Sequence, residues 1–319
     1  MCYSAMVEQE LKKAARMVAG EVDFSALEKL FAQRLEDDSI RIARALEANF
    51  DSPSSPVEER IRDLIDRHRA KVRGGHETAL FAQKKRLADA ERALATRQTR
   101  KALDDQRIAT KKIAWHLEKL AGLGRKEPAE EDSRIFPMWY APVVIQEAGR
   151  RVIRPMRYHC RPGGKPENYD RRYDGLYNAR RDSLEGFWKN VFGRHHGLII
   201  ARSFYENVAL HDFERRPLAE GEKAQNLILH FNPKSASPML VACLWDLWQA
   251  PGRPDLYSFA AITDAPPPEI AATGHDRCIV PLEASAIGAW LDPAGADRAA
   301  LAALLDRRER PYFEHRLAA

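Results

Sequence analysis

The chain has 319 residues, 45% hydrophobic and 30% charged, with a formal net charge of +5 and a sequence pI near 9.0, enough for one large domain or two modest ones with a real core. No apolar run reaches the roughly 18 residues of a membrane span, and the start lacks the basic-then-apolar order of a secretory signal, so a cytoplasmic, nucleoid-associated protein is expected. Cys2, Cys160, Cys243 and Cys278 lie far apart with no CxxC pair, which argues against a disulfide framework and a zinc ribbon.

Residues 1–7 (MCYSAMV) read as a short apolar strand, and helical periodicity takes over from about Gln9. Up to Ala121 the chain is rich in Ala, Leu, Glu, Lys and Arg, with Leu80, Leu87 and Leu94 spaced by sevens and Ile113, Leu117 and Leu120 on one helix face. The run DSPSSP at 51–56 and the pair Gly74-Gly75 interrupt this pattern, which predicts helices near 9–20, 24–49, 57–73 and 77–121. Residues 122–132 form a polar hinge. Beyond it, short apolar runs punctuated by Gly and Pro predict strands at 141–146, 151–158, 197–205, 226–231, 238–245, 256–263 and 277–282, with small helices near 183–192 and 284–291. The expected class is therefore α+β: a curved, largely antiparallel, barrel-like β core carrying a long α-helical insertion, hairpin or coiled-coil-like, after the first strand. The expected divisions are a first strand at 1–7, a helical insertion at 8–128, a core at 129–292 and a C-terminal helical tail at 293–319.

Charge is uneven along this plan. Residues 57–126 hold 19 Lys and Arg against 10 Asp and Glu, a net of +9 that leaves −4 for the rest of the chain. Such a segment fits an extension of a DNA-binding surface and equally a solvated hairpin for a partner or for self-association.

The residue with the most distinctive chemistry is Cys2. A cysteine left first in the chain after loss of Met1 carries an α-amine and a thiol on adjacent carbons. The amine, with an ordinary pKa of about 7.7 to 8.0, is partly neutral near neutrality and forms an imine with an aldehyde, after which the thiol closes a five-membered thiazolidine. Position alone would leave Cys2 an ordinary residue. Three further runs change that, in chain order: Leu176-Tyr177-Asn178-Ala179-Arg180-Arg181-Asp182, Ser203-Phe204-Tyr205-Glu206-Asn207, and Gly274-His275-Asp276-Arg277-Cys278. Together with Met1-Cys2 they resemble the SOS response-associated peptidase (SRAP) family, whose members carry an N-terminal Met-Cys, an Asn-Ala-Arg motif, a Phe-Tyr-Glu or Trp-Phe-Glu motif and a His-Asp-Arg motif. The resemblance covers 1–7 and roughly 134–292, with Tyr140-Ala141-Pro142, Met156-Arg157-Tyr158 and Ala260-Ala261-Ile262-Thr263 in support.

The resemblance implies a protein that binds single-stranded DNA and captures ring-opened abasic sites, with an autopeptidase step that frees Cys2. It implies Cys2 as nucleophile, Glu206 as a proton shuttle whose burial would raise its pKa, His275 as a proton donor or phosphate ligand, and Asn178 as the amide that orients the Cys2 amine. Arg180 fits a phosphate clamp, with an ion pair to Asp182 as the competing role. Arg157, Tyr158 and Trp139 are further DNA-contact candidates, the aromatic rings by stacking on unpaired bases, with a place in the core as the commoner role of strand aromatics and the one favoured for Trp139. Neither metal nor cofactor is expected: His195-His196 and His159-Cys160 lack the spacing of a zinc site, and no Walker or dinucleotide fingerprint occurs. Two departures stand out. Family members usually begin Met-Cys-Gly-Arg where this chain has Met1-Cys2-Tyr3-Ser4, and the tryptophan that commonly follows the glutamate is Asn207. The competing functions are an N-terminal nucleophile amidohydrolase of the glutaminase type, for which no glutamine-carboxylate clamp is found, and a non-enzymatic nucleic-acid-binding scaffold.

Overall fold

The computed structural model describes residues 2–318, with Cys2 described in its backbone alone. The first strand, β1 (Cys2–Val7), leads into helices α1 (Leu11–Val18) and α2 (Phe24–Glu36), and a short helix α3 (Arg44–Glu47) follows. Two helices then form a long hairpin, α4 (Pro56–Thr96) and α5 (Arg100–Gly124). Two-residue strands β2 (Glu21–Val22) and β3 (Arg41–Ile42) sit between the early helices, and β4 (Arg134–Ile135) opens the strand-rich part. It continues through β5 (Trp139–Glu147), β6 (Arg150–Tyr158), β7 (Asn178–Arg180), β8 (His196–Ala209), β9 (Asn226–Pro233), β10 (Met239–Trp248), β11 (Leu256–Asp264), β12 (Cys278–Ile279) and β13 (Phe313–Leu317).

Five strands close on themselves in the order β8, β10, β11, β6, β5 and back to β8, the last pairing joining Val144 to Leu198 and Ile145 to Gly197. All neighbours in this ring are antiparallel except β11 and β6. Closure removes the exposed edges that a five-stranded sheet would otherwise present. Gly197 stands at the seam because a Cβ there would come within 3.1 Å of Cys243 Sγ, Val143 Cγ1 and the carbonyl of Val144. Alternate residues from all five strands, among them Val143, Met156, Ile199, Val241 and Phe259, gather in one buried cluster that fills the barrel. The other face of the same strands (Val144, Ile153, Leu198, Ala242, Ile262) shares a second cluster with Leu11, Leu27, Phe31, Phe50, Ile61 and Ile65 from the helices, and with Trp188 and Trp290.

β8 is the organising strand. Its first half, through Ala201, belongs to the barrel, and its second half runs on between β1 and β9. Through β1 the beginning of the chain is thus locked into the sheet, beside residues about 200 positions later in sequence.

Several expected elements are corrected. Residues 8–128 are not purely helical, since β2 adds parallel to β6 and β3 adds parallel to β5; the helix expected at 24–49 is split where the chain extends to make the second of these pairings. Gly74-Gly75 does not break the hairpin. Both glycines lie on an open helix face, where each costs about 1 kcal/mol relative to Ala but meets no clash and no competing cap. The break falls at residues 97–99, where Thr99 turns extended and accepts a hydrogen bond from the Ala102 N–H at 3.2 Å, starting a new helix. α4 begins where the DSPSSP run ends, as expected: Ser55 caps it, Pro56 occupies its first turn, and Glu58 and Glu59 face the positive end of its dipole. The region 183–192 forms a 3-10 turn at Arg181–Ser183 followed by turns rather than a helix. The tail at 293–319 is not only helical: after the helix Arg298–Leu304 it ends in β13, which pairs with β9 and brings Phe313 against Phe204. Among the described residues, no helix is long and apolar enough to cross a membrane.

Candidate active site at the end of the barrel

β1 and β8 place Cys2 directly opposite Glu206 in the register of the sheet, with a bulge between Cys2 and Ser4. The bulge matters because adjacent residues of a strand point to opposite faces: Glu206 shares the inward face with Phe204 and Leu229, whereas Tyr205 faces out. Glu206 is fully buried. The thiol and amine of Cys2 lie outside the described residues.

His275 reaches the same carboxylate from a loop. Gly274 precedes it at φ +87°, a left-handed conformation that favours glycine, and a Cβ there would lie 2.8 Å from Asp212. This tight turn aims the imidazole inward. Nδ1 lies 2.9 Å from the Arg277 carbonyl and 3.3 Å from the Arg277 backbone nitrogen, and Nε2 faces Glu206 Oε2 at 3.3 Å. Burial holds the His275 pKa below the ordinary imidazole value. Glu206 Oε2 and His275 Nε2 are thus close enough for a proton to pass between them in a place shielded from water. That arrangement can give a proton and take it back.

Asn178 opens β7, opposite Ala261 on β11, and is buried on the inward face. The Tyr158 hydroxyl lies 3.5 Å from Asn178 Oδ1, and the Tyr158 ring stacks on Phe259 at 5.1 Å and meets Tyr177 edge-on. Tyr158 is thus a wall of the barrel interior that holds the asparagine, and its buried ring offers no face to an unpaired base. Arg157 is likewise committed. Its guanidinium donates to the His159 carbonyl and lies 2.9 Å from Asp170, whose carboxylate Arg161 and Arg157 hold below its ordinary pKa against the opposing effect of burial. Arg180 is exposed and bound by both terminal oxygens of Asp182, at 3.1 and 2.7 Å, the competing role foreseen for it. Trp139 is half-buried, its ring 5.5 Å from Phe136. Of the four DNA-contact candidates, two are therefore walled into the fold, one is ion-paired at the surface and one remains partly open.

Cys160, Cys243 and Cys278 are buried, and burial pushes each thiol up, far from a reactive thiolate. His196 accepts from the Gly193 N–H, stacks on Trp290 and is pushed down to about 3 by burial, a structural histidine. Among the described residues no group of three or more His, Cys, Asp or Glu side chains could hold a metal ion. A cleft of about 920 Å³, lined in part by Gln9, Arg44, Lys126 and Arg202, lies elsewhere, between the early helices and the barrel, and includes neither Asn178, Glu206 nor His275.

One residue near Cys2 was not anticipated. Arg134, on β4, donates from Nε to the Ser4 hydroxyl at 3.0 Å and lays its guanidinium over the Tyr205 ring at 3.5 Å. It stands 130 positions from Ser4, with no motif around it, so nothing short of the β1–β4 pairing could have revealed it.

No curated protein matches the chain. Among solved structures, one of a protein from Bordetella bronchiseptica is 19% identical, covering 59% of this chain and 87% of its own, at a TM-score of 0.44. One from Bacteroides thetaiotaomicron is 14% identical, with coverages of 64% and 88% and a TM-score of 0.47. A phage-related protein from Bordetella bronchiseptica is 19% identical, with coverages of 58% and 80% and a TM-score of 0.43. The family model of the SOS response associated peptidases (SRAP) matches residues 95–317, which take in α5, the whole barrel, Asn178, Glu206, His275 and the closing strand, while Cys2 and β1 precede the matched residues. Over that span, most of its length, the chain belongs to the SOS response associated peptidase family.

Proposed function

We propose that the chain captures abasic sites in single-stranded DNA through Cys2, freed by loss of Met1, and forms a thiazolidine with the ring-opened sugar. The observation that carries this reading is the register that sets Cys2 opposite Glu206, with His275 3.3 Å from that carboxylate. An aldehyde held there meets amine, thiol and a proton relay together. The amine adds to the aldehyde carbon to give a carbinolamine, the Glu206–His275 pair delivers the proton with which hydroxide departs as water, and the thiol adds to the resulting imine carbon, its proton passing to the nitrogen. One water is lost overall. Asn178 would orient the amine, and the family's peptidase activity would correspond to release of Met1 through the same nucleophile. The three other thiols, buried and protonated, leave Cys2 as the candidate.

Intact mass of the protein, before and after mixing with an abasic single-stranded oligonucleotide, tests the reading. Loss of Met1 and an adduct equal to protein plus oligonucleotide minus water are expected, and Cys2→Ala should lose the adduct altogether. A Cys2→Ala protein that still crosslinks would overturn the proposal.

A further inference from the structure

Arg134 is half-buried and is held without a counter-charge. Its Nε–H goes to Ser4, and its flat faces are covered by Tyr205 at 3.5 Å and Phe136 at 4.8 Å. Among the described residues no carboxylate lies within ion-pairing distance of it. Burial pushes the guanidinium pKa down, but a guanidinium stays charged across the range in which proteins fold, so the charge persists with its remaining N–H donors unspent. A half-buried arginine stacked on aromatic rings with no carboxylate beside it has lost part of its hydration, a cost that an anion would offset.

The position tells which anion. Ser4 is two residues from Cys2 on β1, and Tyr205 is the neighbour of Glu206 on β8, on the opposite face. The guanidinium thus stands on the outward face of the sheet, two residues along β1 from Cys2, where a strand that leaves the inward-facing site over the end of β1 would meet it. Around it lie Tyr3, edge-on to Phe136 at 5.8 Å and partly exposed, and Trp139, 5.5 Å from Phe136: flat apolar rings of the kind that accept unpaired bases. On the other side of Tyr205, His230 stacks at 4.1 Å, with burial, reinforced by Arg316, holding it neutral down to about pH 4, so it adds no competing charge near neutrality.

We propose that Arg134 is the anchor of a phosphodiester-binding site beside Cys2, gripping a phosphate that flanks the captured nucleotide, with Tyr3, Phe136 and Trp139 as its aromatic shelf. β4 thereby supplies, from the far side of the helical region, a cation where the chain itself carries Ser4. The inference deepens the reading of Cys2 and rests on it for the polarity of the site, yet it is tested without the covalent step.

The experiment is equilibrium binding of an undamaged single-stranded oligonucleotide as a function of salt, for the wild type, Arg134→Gln and Arg134→Lys. Arg134→Gln is expected to bind roughly 10-fold more weakly and to lower the slope of log affinity against log salt by about 0.7, the value of one phosphate on a single strand, while Arg134→Lys recovers the slope. A second measurement guards against misfolding: replacing single phosphates by uncharged methylphosphonates should weaken the wild type at one position and leave Arg134→Gln indifferent there. An unchanged slope in Arg134→Gln, or a wild type equally sensitive at every position, would overturn the site. Loss of slope in a protein that binds the strand but never crosslinks would support this anchor and overturn the role of Cys2.

Discussion

The barrel end and the helical hairpin use polar residues in opposite ways. At the barrel end Asn178, Glu206 and His275 are buried, few in number and aimed at one another or at the strand carrying Cys2. On the hairpin Lys84, Lys85, Arg97, Arg100, Lys101, Lys111 and Lys112 are exposed, and among the described residues none makes an ion pair. α4 and α5 hold together through small buried residues, Ala90, Ala102 and Ala109, and through pairs such as Arg86 with Asp105. Buried polar groups are dear and are kept where their low-dielectric setting strengthens each interaction. Exposed cations are cheap and act at a distance through a screened field. The first arrangement suits bond making, the second suits attraction of a polyanion.

The largest expected effect falls on the barrel. Glu206→Gln and His275→Asn should each slow adduct formation by about 10²-fold at saturating DNA, the range of a lost proton shuttle. Because the two lie 3.3 Å apart and would act as one relay, the double variant should be no slower than the worse single one. A multiplicative double variant would show that they act separately.

Next in size is the response to acid. Burial sets His196 down to about 3 and His159 and His230 to about 4, whereas in the unfolded chain each titrates near 6.5. Below pH 6.5 the unfolded chain takes up protons that the folded barrel refuses. The stability these neutral histidines contribute is thus present above that value and is lost as pH falls toward 4, by several kcal/mol in total. Denaturant midpoints at pH 7 and pH 4.5 check this, and an unchanged midpoint would mean that the three are not held neutral in the fold.

The smallest effect belongs to the hairpin. Replacing Arg97, Arg100 and Lys101 near its turn by Gln should lower the salt slope of single-strand binding by up to about 2, with covalent capture at saturating DNA unaltered. Unchanged affinity and slope would assign the arm to a protein partner or to self-association instead.

Motif reading and topology divide this protein unevenly. Cys2, Asn178, Glu206 and His275 were legible because each sits in a run of chemically specific residues in a fixed order, and a change of apolar period near residue 122 separated helices from strands. That Arg157 and Tyr158 are buried was not legible, because alternation along β6 tells which residues share a face but not that the sheet closes and buries both of its faces. Arg134 was passed over for a related reason: a lone arginine before an isoleucine carries no signal until β4 is paired with β1.

From the amino-acid order alone came the chemistry: a possible aminothiol, a carboxylate, an imidazole and an amide, a basic arm, and the helix break at the DSPSSP run, since these depend on residue type and near neighbours. Only the tertiary structure decided that β8 closes the barrel and then carries Glu206 to β1, that the tail returns as a strand, and that Arg134 stands beside Cys2 without a counter-charge. Each of these joins segments roughly 50 to 200 residues apart, and such pairings are selected by which faces can be buried together, a property of the whole chain rather than of any stretch of it.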